Sequence, residues 1–269
     1  VLKSDCLDLP EKIYTKRYIE MTPEQKKAYV EMKNFALFME MGTGKSKVLI
    51  DNIAMLFDRG KINSALIVAP KGVYRNWERQ EIPTHMPEHV DYSILVWNPS
   101  STSFLKEYAK FIKNNDNLKI FLINIDAFST SRGTEIAKRF LTATQCLMAI
   151  DESTTIKTPT AKRTKTVCKM RTLAKYRRIL TGSPITKSPL DLYTQCYFLD
   201  PELLGFASYY TFKNRYAVMV SRSVATHSFK QIVDYQRLDE LENKLNQFSY
   251  RVLKSDCLDL PEKIYTKRY

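Results

Sequence analysis

Short apolar runs alternate with amphipathic stretches along most of this chain. Residues 35–39, 65–68, 93–97, 119–125, 146–150 and 178–180 are brief, mostly apolar and bounded by turn residues, which predicts buried strands. Between them, residues 45–59 place Val48, Leu49, Ile53, Leu56 and Phe57 on one helical stripe closed by Gly60. Residues 73–81, 104–112, 135–141, 160–174 and 190–199 repeat the helical period. Strands alternating with helices predict an α/β fold: a mostly parallel sheet, helices on both faces, and functional residues at the carboxyl ends of the strands. From Phe206 the pattern turns aromatic and basic (Tyr209, Tyr210, Phe212, Lys213, Arg215, Tyr216). Residues 221–228 read as a loop, and residues 238–248 as an amphipathic helix.

The first strand runs straight into chemistry. Residues 35–50 read FALFMEMGTGKSKVLI, a strand, a glycine-rich turn and a helix. Gly42 and Gly44 permit a tight turn and close backbone approach to a phosphate. Lys45 reaches terminal phosphates, and the Ser46 hydroxyl suits Mg²⁺. The helix start adds unpaired N–H groups and the positive end of its dipole. Met41, Gly42, Thr43, Gly44, Lys45 and Ser46 are thus the candidate nucleotide-binding residues. The long P-loop pattern wants Gly at position 39, where this chain has Met39; the shorter GxGKS form is the one helicase-like motors use.

Asp151 and Glu152 close the strand CLMAI. An Asp at the tip of a buried strand next to the phosphate turn holds Mg²⁺, often through water, and the adjacent Glu orients or deprotonates an attacking water. The spacing suits a sheet neighbour of the first strand. Thr181 and Ser183, in TGSP, place hydroxyls at another strand end. Two readings stay open there: a plain turn, for which Gly182 and Pro184 suffice, and a coupling of phosphate state to a nucleic-acid surface.

Composition adds a partner. The 269 residues carry a formal net charge of +13, with 44% hydrophobic residues, enough for a sizeable core. Such a charge points to a polyanion, either nucleic acid or an anionic membrane face. Between Glu152 and Asp191 there is no acidic residue, while Lys162, Arg163, Lys165, Lys169, Arg171, Lys175, Arg177 and Arg178 belong to a one-signed run. That favours a polyanion-facing surface over a solvated helix face. Pro70-Lys71 and residues 124–128, with Asp126, also end strands where backbone N–H groups and lysine meet phosphates. Trp77 reads as core packing rather than base stacking.

The five cysteines form no CxxC pair, which predicts reduced thiols. His85 and His89 are four apart, but Pro83 and Pro87 flank them, which predicts a surface loop instead of a metal site. No apolar run approaches the ~20 residues of a membrane span, and residues 1–12 resemble no leader, so a soluble intracellular protein without membrane contact is expected. Residues 1–18 and 252–269 are the same string, VLKSDCLDLPEKIYTKRY. A repeat found only at the two ends predicts an artefact of chain assembly, with residues 19–34 belonging after Tyr269, and one copy is set aside from fold reasoning.

Together these residues resemble the SWI/SNF-like branch of superfamily-two helicases, the double-stranded DNA translocases. MEMGTGKS is similar to that family's first motif and ALIVAPKGVYRNWERQEI to its second. IDEST resembles its DEAH-type box, with Ser153-Thr154 in place of Ala-His, and IKTPTAKRTK the stretch that follows. RRILTGSPITKSPLDLYTQCYFLDP is the closest match, and SYRVLKSDCLDLPEKI resembles the segment leaving the first motor lobe. The resemblance spans about residues 35–269. It implies a RecA-like first lobe over residues 35–251 that binds ATP and Mg²⁺, hydrolyses ATP together with a second lobe, and moves along duplex DNA. Lys45 would contact phosphates, Ser46 and Asp151 the metal, and Glu152 the water. Pro70, Lys71 and Asp126 would lie near DNA, with Thr181 and Ser183 beside them. The glutamine motif that contacts adenine is not found before Phe35, and Gln25 looks like part of the connector after the lobe. No second lobe follows, so slow or absent hydrolysis by this chain alone is expected. The alternatives are an RNA-directed or restriction-type helicase lobe, and a non-catalytic nucleic-acid module with a vestigial pocket. Intact Lys45, Ser46, Asp151 and Glu152 argue against the latter.

Overall fold

A computed structural model of the chain describes residue 30 and residues 32–113, 117–224 and 227–257. The first copy of the terminal repeat, most of the second, and Gln25 lie outside them. In chain order the main elements are β1 (Asn34–Met39), α1 (Lys45–Asp58), β2 (Ser64–Ala69), α2 (Tyr74–Asn76), a π-helical turn (Trp77–Glu81) and α3 (Ile82–His85). Next come β3 (Tyr92–Val96), α4 (Phe104–Lys113), β4 (Leu118–Asn124), α5 (Ser131–Ala143), β5 (Cys146–Asp151), α6 (Lys162–Met170) and β6 (Tyr176–Leu180). After α7 (Leu192–Leu199) and α8 (Tyr209–Tyr216) follow β7 (Ala217–Val224), β8 (His227–Tyr235), α9 (Leu238–Asn246), β9 (Ser249–Val252) and α10 (Lys254–Cys257).

Seven strands form one sheet in the order β3-β4-β2-β5-β6-β1-β9, and every pairing in it is parallel. Strands β2, β4 and β5 are almost wholly buried, as runs such as SALIVA and CLMAID require of strands covered on both faces. One apolar cluster, with Phe104, Phe121, Phe140 and Phe198, fills one side of the sheet. Leu49, Ile53, Trp77 and Ile82 belong to the other. Each such fully buried side chain contributes roughly 1.5–3 kcal/mol. The predicted α/β architecture holds through α7, apart from the short helix α3, which falls where a loop was expected.

Two expectations are corrected. First, β5 is not the neighbour of β1: β6 lies between them, with Leu180 in register with both Leu37 and Asp151. Parallel strands are joined by crossovers, so separation along the chain does not fix which tips sit side by side. Second, residues 221–228 are not simply a loop. Ser221 to Val224 complete β7 and His227-Ser228 begin β8, an antiparallel hairpin that forms its own two-stranded sheet. Ser221, Arg222 and Ser223 are all exposed, so no buried face leaves an apolar alternation in the sequence. Strand β9, too short to announce itself, pairs with β1 at the sheet edge.

The candidate nucleotide site

The phosphate turn is shaped by backbone before side chains enter. Gly42 and Gly44 sit at φ +82° and +91°, where a side chain would be strained, and the space beside each is open. Thr43 folds back, its hydroxyl donating to the Glu40 carbonyl at 2.7 Å. Lys45 Nζ donates to the same carbonyl at 3.2 Å, which holds its ammonium over the turn. Helix α1 begins at Lys45 with no side chain capping its N-terminus, so its first N–H groups are available to an anion. Met41 is 70% exposed at the lip, and Ser46 is half-buried on the first helical turn. Open glycines, a parked ammonium and an uncapped helix start fit a triphosphate.

The acidic pair faces this turn from β5. Asp151 is buried, and burial pushes its carboxyl pKa up; the Trp77 indole, donating to Oδ2 at 2.9 Å, opposes that rise. The Glu152 charge raises it further, while the Lys45 ammonium is close enough to pull it down. A buried carboxylate of this kind is short of positive charge, which suits it to a divalent cation shared with phosphates. Among the described residues, no group of three or more His, Cys, Asp or Glu side chains is placed to hold a metal ion. Mg²⁺ at a nucleotide needs only one or two protein ligands, and Ser46 and Asp151 are the residues that could supply them. Glu152 takes a left-handed backbone at φ +49°, shared among non-glycine described residues only by Arg237. That conformation costs roughly 1–3 kcal/mol, and the Asp151 carboxylate offsets part of it by accepting the Glu152 N–H at 3.0 Å.

Between the two stands Thr181 on the tip of β6. Its N–H bonds to Leu37 O at 3.1 Å, and its hydroxyl donates to Glu152 Oε2 at 3.3 Å. Gly182 passes so near the phosphate strand that an added Cβ would lie 3.3 Å from the Glu40 Cα. Thr181 is buried and turned onto Glu152, so it offers no surface for the direct nucleic-acid contact expected of it. Ser183 is exposed, its N–H bonded to the Thr181 hydroxyl at 3.2 Å.

The other strand-end residues lie along the same rim. Pro70 is half-buried and its carbonyl accepts from Val73 and Tyr74, which starts the helical turn; Lys71 is exposed. Asp126 is exposed and paired with Arg163 of α6 at 3.0 Å. The basic run divides. Lys162, Lys165, Lys169 and Lys175 are exposed, while Arg177 and Arg178 turn inward. Arg178 is fully buried, donating to Asn52 Oδ1 and to the Met32 and Lys33 carbonyls. A single polyanion-facing surface built from all eight is therefore corrected: the two arginines on β6 hold the fold together. His85 ends α3 instead of lying in a loop, and exposed His89 meets Asp58 at 3.0 Å.

Sequence reasoning missed two participants. Trp77 is core, as read, yet its indole N–H is what holds Asp151. Gln195, on α7, touches Ser153 of the acidic box. Neither has a local sequence signal, because Asp151 lies 74 positions from Trp77 and Ser153 lies 42 from Gln195.

A parallel sheet whose tips carry a glycine-lysine phosphate turn and an acidic pair, with one strand inserted between them, defines a RecA-like P-loop ATPase lobe. The chain belongs to the SNF2-related domain family, whose profile matches residues 30–269. It is 25% identical over 228 residues to the chromatin remodeling factor mit1 of Schizosaccharomyces pombe, covering 84% of this chain and 14% of mit1. Against the TATA-binding protein-associated factor mot1 of the same yeast it is 29% identical over 210 residues, covering 76% of this chain and 10% of mot1. The Sulfolobus solfataricus SWI2/SNF2 ATPase core in complex with dsDNA shares the fold, with TM-score 0.59 and 24% identity over 87% of this chain and 45% of that one. The chain thus spans a small part of those curated relatives and under half of the solved core. No described helix is long and apolar enough to cross a membrane.

Proposed function

We propose that this lobe binds MgATP in the turn of residues 41–46 and powers movement along double-stranded DNA in company with a second RecA-like lobe. The observation that carries the reading is the convergence of Lys45, Asp151, Glu152 and Thr181 at the tips of β1, β5 and β6. Lys45 and the N–H groups of α1 would bind and orient the terminal phosphates. Ser46 and Asp151 would hold Mg²⁺, which neutralises phosphate charge. Glu152, its carboxylate fixed by Thr181, would align a water with the terminal phosphorus and take its proton. Pro70, Lys71, Asp126 and Ser183 lie on the rim where duplex phosphates would pass, beside the exposed lysines of α6. Residues 35–251 form the lobe in this reading, and the segment from residue 252 leads towards its partner. The chain would then hydrolyse ATP slowly or not at all by itself.

The test is nucleotide binding and turnover. Lys45→Ala should abolish MgATP binding by this chain and ATPase activity of the full-length protein. Duplex DNA should stimulate that activity more than single strands or RNA. Unchanged activity in Lys45→Ala would overturn nucleotide use, and strong DNA-stimulated turnover by the isolated chain would overturn dependence on a second lobe.

A further inference from the structure

Ser153 follows the acidic pair directly, and the structure gives its side chain a buried partner. Ser153 is fully buried, and its hydroxyl donates to Gln195 Oε1 at 2.6 Å. The Gln195 amide nitrogen donates to two carbonyls, Pro184 O and Asp191 O, both at 2.8 Å. This amide is therefore saturated in one orientation only. Turning it over would set its oxygen against two carbonyl oxygens, with no donor between them. Gln195 is fully buried, so water cannot substitute for any of the three partners.

The contacts close a ring. Glu152 is bonded covalently to Ser153, Ser153 by hydrogen bond to Gln195, and Gln195 to Pro184. From Pro184 the chain runs back through Ser183 and Gly182 to Thr181, whose hydroxyl returns to Glu152 at 3.3 Å. Ser183 is the exposed member of this ring and Glu152 its strained one. A displacement of the TGSP turn thus reaches the Glu152 carboxylate by two routes, Thr181 on one side and Gln195 with Ser153 on the other. Thr181 bonds the carboxylate itself, and Gln195, through Ser153, holds the backbone that carries it.

We propose that Gln195 is a positioning residue: through Ser153 and Pro184 it locks the acidic box to the TGSP turn, so that polyanion bound at the rim sets the angle of Glu152. This rests on the proposed ATPase function and adds the device that makes turnover sensitive to DNA. In the full-length protein, Gln195→Ala and Ser153→Ala should each lower DNA-stimulated kcat about tenfold, the scale expected of a slightly misplaced catalytic group, with KM for ATP changed by less than about twofold. The double variant should lose no more than either single one, because both cut the same route. Gln195→Met keeps the volume but removes the acceptor and both donors, and should match Gln195→Ala. Additive losses, or a loss confined to KM or to melting temperature, would overturn the proposal. If Gln195→Ala does not fold, Ser153→Ala decides alone, and unchanged stimulation there overturns it. Lys45→Ala is measured alongside. Lys45-dependent turnover that ignores Ser153 and Gln195 sinks this inference only, whereas no Lys45-dependent turnover sinks the parent reading with it.

Discussion

Trp77 and Asp151 stand 74 positions apart in sequence, yet the indole N–H of one donates to the carboxylate of the other at 2.9 Å. The contact joins the helical turn after β2 to the tip of β5 and orients the carboxylate that faces the phosphate turn. Trp77→Phe keeps the ring in the core and removes the donor. Burial already raises the Asp151 pKa and the indole works against it, so the variant should raise it further. Only the charged form binds metal, so the carboxylate is lost at higher pH in the variant. As pH is lowered, the Mg²⁺-dependent part of ATP affinity should therefore be lost at a higher pH in the variant than in the parent, and recover as pH rises. Identical Mg²⁺ titrations for the two proteins would dismiss the role.

Asp191 clamps the turn after TGSP. Its Oδ2 accepts from Thr186 N at 3.0 Å, Thr186 Oγ1 at 2.7 Å and Lys187 N at 2.9 Å. Partial burial pushes its pKa up, but the bonds from Lys187 and Thr186 and the Lys157 charge outweigh that and hold it below 3.8. A depressed carboxylate stabilises the folded chain fully above its unfolded value, and that contribution is lost as pH falls through the folded value. Asp191→Ala should cost about 2 kcal/mol at neutral pH. Below about pH 3.8, the unfolded carboxylate range, the difference between the two proteins should shrink. Denaturant titrations at pH 7 and pH 3 test this, and a pH-independent gap would contradict it.

Arg178→Ala should be far more damaging than any change at an exposed lysine of α6. It would strip donors from the buried Asn52 Oδ1 and from two carbonyls just before β1. We expect a loss of about 3 kcal/mol, against a few tenths for Lys165→Ala. Equal melting temperatures for the two variants would refute the division of the basic run.

Cys146, Cys168 and Cys196 are buried free thiols. Burial pushes Cys146 and Cys168 up to about 12 and raises Cys196 as well. A thiol raised that far stays protonated and unreactive at pH 8. Alkylation of the folded chain followed by peptide mapping should leave all three unmodified, and denaturant should expose them together. Rapid labelling of any one in the native protein would show that its packing is wrong.

The sequence carried the sheet because each core strand is a compact apolar run bounded by turn residues, and it carried the phosphate turn because glycine, lysine and serine must be contiguous there. The order of the strands was not legible. Nothing in CLMAID or YRRIL says which lies beside β1, since both are buried runs that arrive by crossover. The β7–β8 hairpin was hidden for the opposite reason: much of it is exposed, and exposed strands need no alternation. Trp77 reads as core and Arg178 as surface charge, and Gln195 carries no signal at all, because Asp151, Asn52 and Ser153 lie far from them in sequence.

Strand β9 lies parallel to β1, and its residues are knitted to the phosphate turn: Glu40 N–H bonds to Val252 O at 3.0 Å, and Lys254 N–H to the Glu40 carboxylate at 2.7 Å. The same Glu40 carbonyl anchors Thr43 and Lys45. Tension or torque applied to the polypeptide downstream of Val252 is therefore delivered to Glu40, one residue before the turn of residues 41–46. In the proposed reading, the lobe would have its lever attached at its trigger.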